Sequence, residues 1–207
     1  MPTGVLLWYV AGFRLSYRYN ARMELPEIEW QPVSRAEFYG WLIFYGVLLL
    51  YLARHFAEPT LLDNVHLPIH EGGHLFFSYF GETLHLWGGT IFQLLIPVLL
   101  AVYFLSQRQL PGTTFCVFAF FHSLTGVATY MSDAIARELP LVTVGAEADP
   151  SDHDWYNIFT QLGVLPHAVQ IGSATRFIAW CGLLGTVTCF CWKYRQQSRE
   201  ESLAAAG

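Results

Sequence analysis

Long uncharged apolar runs, separated by short charged stretches, divide this chain into candidate membrane spans. Phe38 to Ala53 carries no charge over sixteen residues, and Thr113 to Ser132 carries none over twenty. Thr83 to Gln107 is the longest such run, and Phe177 to Trp192 is the last. Sixteen helical residues extend about 24 Å, which crosses a bilayer core of ~30 Å once flanking Tyr and Trp are counted. The pattern predicts full spans at about 38–54, 84–106, 113–133 and 175–193. The apolar stretch from His74 to Gly81 is too short to cross alone. It belongs to a helix expected to begin near Leu67, because Pro68 suits only a first turn. The predicted fold class is all-α, a polytopic membrane helical bundle with four full spans plus a short or re-entrant helix.

The polar stretches set the domain limits. Residues 1–36 mix aromatics with Arg14, Arg18, Arg22 and Arg35, and read as an amphipathic segment on a membrane surface. Residues 37–195 form the membrane-embedded domain, and 196–207 a flexible C-terminal tail. Between the third and fourth spans, residues 133–172 read as a polar segment with Asp133, Glu138, Glu147, Asp149, Asp152 and Asp154.

Composition agrees with the pattern. The chain is 54% hydrophobic and 13% charged, against about 25% charged in soluble domains. A formal charge of −5 offers no basic face for phosphates, so membrane lipid is the expected surrounding and nucleic acid is excluded. None of Cys116, Cys181, Cys189 and Cys191 is spaced as a CxxC pair, and all four read as small buried hydrophobes. With four crossings, Arg14, Arg18, Arg22, Arg35, Arg108, Lys193, Arg195 and Arg199 share one side. Arg54, Arg137 and Arg176 take the other. A fifth crossing would split the same residues six against five. The positive-inside rule therefore favours four crossings with both termini cytoplasmic.

The chemistry concentrates at His70-Glu71-Gly72-Gly73-His74. Four residues apart on a helix, the two imidazoles leave one face a turn from each other, as two ligands of a tetrahedral zinc do. Glu71 then stands beside the open coordination position, where its carboxylate can take a proton from metal-bound water. Catalytic zinc takes three protein ligands as a rule. His153, within Ser151-Asp152-His153-Asp154-Trp155, is the favoured third, with Asp133 and Asp154 its competitors. His66 shares the face of His70 and His74, but expected at the helix cap it reads as a surface or hydrogen-bonding residue. His85, His122 and His167 are isolated and read as satisfied histidines. Gly72-Gly73 and Gly88-Gly89 imply close approach of two helix backbones. Gln93, a turn beyond Gly89, faces the same neighbour, either to bond across it or to bind an extended substrate backbone.

The run His70 to Gly81, HEGGHLFFSYFG, resembles the first core helix of the site-2 protease type of intramembrane zinc metalloprotease. Gly88-Gly89-Thr90-Ile91-Phe92-Gln93 is similar to the glycine-rich start of that family's next core helix, with Gln93 where an asparagine is usual. The resemblance implies that His70 and His74 bind zinc, that Glu71 is the general base, and that the substrate is a membrane-embedded protein or peptide. It also implies a third ligand from an aspartate in a motif of Asn, Pro, Asp and Gly, which does not occur here. The expected function is thus zinc-dependent hydrolysis of peptide bonds in the membrane. Two other classes stay open. One is a non-proteolytic metal enzyme acting on lipid, with His66, His70, His74, His85, His122 and His153 as a two-metal set. The other is a metal-binding membrane protein without turnover.

Overall fold

A computed structural model describes residues 4–10, 13–19, 30–139 and 153–206, with side chains placed over 30–139 and 153–203. The chain divides into two units, Met1–Gln31 and Pro32–Gly207. In the first, strand β1 (Gly4–Val10) pairs antiparallel with β2 (Phe13–Tyr19), with Gly4 opposite Tyr19 and Val10 opposite Phe13. This hairpin occupies the stretch read as an amphipathic surface segment. Arg22 and Pro26 of that segment lie outside the described residues, as do Glu147, Asp149 and Asp152 of the polar segment.

In the second unit every regular element among the described residues is a helix. Helix α1 (Arg35–Arg54) starts from a capping box. The Glu37 N–H donates to Ser34 Oγ at 3.2 Å, and the Ser34 N–H donates to Glu37 Oε2 at 2.8 Å. Helix α2 (Asp63–Phe77) carries HEGGH, and after a single 3-10 turn comes α3 (Glu82–Ser106). Helix α4 (Leu110–Asp133), the short α5 (Asp154–Gln161) and α6 (Ala168–Ala206) complete the unit. Among the described residues, four helical segments are long and apolar enough to cross a membrane: α1, α3, α4 and Leu165–Leu203, which includes most of α6. Many apolar side chains on their outer faces are exposed, Ile43, Leu50, Leu99, Val102 and Phe177 among them. In water such a surface would aggregate; against lipid tails it is the expected one.

Aromatic stacking holds the outer helices together. Phe38 of α1 lies parallel to Tyr194 of α6, with centroids 3.9 Å apart. Tyr45, fully buried, donates its O–H to Thr114 Oγ1 of α4 at 3.2 Å. The inner pair α2 and α3 forms a hairpin closed at Gly81, whose φ of 100° is open only to glycine. Their backbones then touch. A Cβ on Gly73 would overlap the Gly88 carbonyl oxygen, and one on Gly88 would sit 2.7 Å from the Gly73 oxygen. The close approach expected of these glycines is present.

Three boundaries differ from the sequence reading. Helix α2 begins at Asp63, not near Leu67. Asp63 Oδ2 accepts the Thr60 N–H at 2.6 Å and the Thr60 hydroxyl at 2.9 Å, which ties down the turn that leads into the helix. Pro68 therefore lies inside the helix and His66 within it. His66 is buried, its Nε2 2.9 Å from His122 Nδ1 of α4, so the hydrogen-bonding role expected of it is present. Helix α6 runs on through the residues read as a tail, to Ala206. Hydropathy marks where a helix leaves lipid, and Lys193 to Ala206 is polar sequence that still favours helix. Finally, the segment 133–172 is not simply polar, since α5 turns Trp155, Ile158 and Phe159 into a core with Val127, Ala134 and Ala168. Of the cysteines only Cys116 is buried; Cys181 and Cys189 are exposed on the apolar surface of α6.

Candidate metal centre

The hairpin of α2 and α3 presents the two HEGGH histidines to the start of α5. His70 Nε2 lies 3.0 Å from Asp154 Oδ2, His74 Nε2 lies 3.2 Å from the same oxygen, and the two Nε2 atoms are 3.1 Å apart. These three residues are the one group among the described residues whose ligand atoms converge in this way.

The outer nitrogen of each ring is committed. His70 Nδ1–H donates to Gln93 Oε1 at 2.9 Å, and His74 Nδ1–H donates to the His85 carbonyl at 2.7 Å. His85 returns the bond, its own Nδ1–H donating to the His74 carbonyl at 2.9 Å. With their protons on Nδ1, neutral imidazoles turn two Nε2 lone pairs toward each other and toward a carboxylate oxygen. Three acceptors about 3 Å apart repel unless a cation lies among them. A single proton on His74 Nε2 can serve only one of its two neighbours fully, His70 Nε2 or Asp154 Oδ2, and the two rings meet edge to face at 71°. One metal ion resolves the arrangement, and tetrahedral ligands ~2.0–2.1 Å from zinc are themselves about 3.3 Å apart. Two imidazoles and one carboxylate form a donor set that could hold a metal ion, and the acceptors on Nδ1 are those that orient metal-binding histidines.

Charge and shape agree with that donor set. Burial pushes the pKa of Asp154 up, but its contacts with His70 and His74 outweigh it and hold the carboxyl below the usual range. Asp154 is also the first residue of α5, where the helix dipole favours an anion. Gly89 forms the flank of the site, since a Cβ there would lie 2.5 Å from Nε2 of both His70 and His74. Glu71 is half-buried and within electrostatic reach of His70, His74 and Asp154.

The favoured third ligand, His153, is not in this group. Its ring is fully buried and turned the other way, with Nε2 3.4 Å from Asp133 Oδ2. The cause is its position at the N-cap of α5, where Nδ1 accepts the Tyr156 N–H at 3.2 Å. Residues at the cap and first position of a helix leave it in different directions, so Asp154 faces the histidines and His153 faces α4. Burial holds the pKa of His153 below its ordinary value despite Asp133, and because Nδ1 accepts the Tyr156 N–H, the ring proton sits on Nε2. Asp133, the other competitor, accepts the N–H groups of Glu138 and Leu139 at 3.0 and 3.1 Å.

Gln93 takes the bonding role rather than facing a substrate, and His85 proves to be a satisfied histidine that braces the site. Tyr130, which sequence reasoning did not single out, packs its ring 6.1 Å from that of His70. A lone tyrosine in an apolar run carries no signal of its own. No family model matches the sequence, and neither a curated protein nor a solved structure is similar to it.

Proposed function

We propose that this chain is an intramembrane zinc metalloprotease, hydrolysing peptide bonds of membrane-embedded substrates with both of its own termini in the cytoplasm. The observation that carries the reading is the convergence of His70, His74 and Asp154, with Glu71 beside them, in a bundle of membrane-length apolar helices. Zinc held there would supply a Lewis acid that brings the pKa of a water toward neutrality and polarises a carbonyl.

The chain's own residues do the rest. His70, His74 and Asp154 hold the ion, while Gln93 and the His85 carbonyl fix both imidazoles with Nε2 inward. A Glu71 carboxylate oxygen takes the proton from the attacking water and passes it to the leaving amine. Gly89, lacking a side chain, lets α3 pack directly against both imidazoles, and any larger residue there would displace them. The substrate must arrive locally unwound, because helical carbonyls are already hydrogen-bonded.

The two-metal reading has less support, because His66 and His122 bond each other instead of joining the centre. Metal analysis of the purified chain is expected to give one zinc. Glu71→Gln is expected to keep that zinc and the fold while losing cleavage of transmembrane peptides by at least about 100-fold. Wild-type turnover in Glu71→Gln overturns the mechanism. A zinc-loaded wild type that cleaves no membrane peptide overturns the protease assignment.

A further inference from the structure

Asp154 is the one ligand that does not come from the HEGGH hairpin, and something must hold it at the edge of two imidazoles. We propose that Tyr130, Asp133 and His153 form a seat on the last turn of α4 that positions Asp154, so that metal affinity depends on three residues that do not touch the metal. The proposal rests on the metal-centre reading.

Tyr130 and Asp133 are three residues apart and share one face of α4. The Tyr130 hydroxyl oxygen accepts the Asp154 N–H at 3.1 Å, which anchors the ligand's own backbone. Its ring lies against His153, centroids 4.2 Å apart. Asp133 Oδ2 stands 3.4 Å from Nε2 of that imidazole. His153 Nε2 is buried and has no better partner among the described residues. The ring thus meets a phenol and a carboxylate from the same face of α4, while its Nδ1 starts α5 by accepting the Tyr156 N–H. Asp133 is itself held by two backbone N–H groups of the turn that follows α4. Each of these contacts fixes the direction in which Asp154 leaves α5. The core of Trp155, Ile158 and Phe159 fixes only that helix's depth.

Ligands held within about 0.5 Å of their working geometry depend on such supports, and outer-shell substitutions weaken metal binding about 10–100-fold. The test titrates the full chain in detergent with cobalt(II), read by its visible spectrum, and with zinc against a chelator. Tyr130→Phe removes one acceptor and little volume. Asp133→Asn removes the charge, and His153→Asn keeps a capping side chain but loses the ring.

All three variants are expected to bind zinc about 10–100-fold more weakly than wild type. They should shift the saturated cobalt spectrum, and Asp133→Asn with His153→Asn should be non-additive. Ile158→Val serves as the control, expected to lower thermal stability without moving affinity or spectrum. Unchanged affinity and spectrum in Tyr130→Phe and Asp133→Asn, with Asp154→Ala metal-free, overturns the seat and leaves the centre standing. A His153→Asn protein as metal-free as Asp154→Ala makes the imidazole a ligand and overturns the seat. A wild type that binds neither metal overturns the centre itself.

Discussion

Removing the Asp154 carboxylate is expected to empty the centre as completely as removing either histidine. Asp154→Ala and His70→Ala should each fall below about one-tenth of the wild-type zinc content by elemental analysis, while His66→Ala keeps it, because His66 is bonded to His122 instead. Gln93→Leu is a subtler change. It leaves the His70 Nδ1–H without an acceptor in a buried site and frees the ring to turn. Zinc should bind about 10–100-fold more weakly in a chelator competition, without loss of stoichiometry. The two histidines and Glu71 were legible in the sequence because one helical repeat fixes their relation. The residue that converges on the two histidines was legible only as a choice among Asp133, His153 and Asp154. His153 and Asp154 are neighbours, and which of them turns inward is decided by where α5 begins, a cap contact that composition does not reveal.

At the scale of elements, the crossing of α2 and α3 makes the centre possible, and its glycines are unequal. Gly73→Ala and Gly88→Ala should each destabilise the fold by about 1–3 kcal/mol in detergent thermal unfolding, since the new methyl meets opposing backbone. Gly72→Ala should be nearly neutral, because a Cβ there meets only Phe92 Cε1, at 4.0 Å. The four glycines thus announced the crossing without showing which of them make it. The start of α2 was misplaced for a physical reason. Pro68 disfavours preceding helix by its missing N–H, yet the Thr60–Asp63 contact and the His66–His122 bond sustain a turn before it. The end of α6 was misplaced because apolarity, which locates a span, is silent about a helix that continues into water.

For the molecule as a whole, four helices are long and apolar enough to cross among the described residues, and the proposed topology has these four cross while α2 does not. Helix α2 has 15 residues, about 22 Å, short of the ~30 Å core. In a chain with its native cysteines replaced, Glu82→Cys and Thr83→Cys should react with an impermeant reagent from the non-cytoplasmic face. Reaction only from the cytoplasmic face would show that α2 crosses. The same long-range layout has a consequence for how the site comes into being. His70 and His74 find their partners 23 and 11 residues away, within one hairpin. Asp154 meets them only across 84 and 80 residues of chain, after α4 has crossed and α5 has docked. Local contacts form early and distant ones late. A nascent chain therefore carries a two-histidine half-site, too weak to retain zinc, until its last third is in place. On the proposed reading, metal capture would be a completion signal, since a full ligand set exists only once the bundle that must contain the ion has assembled.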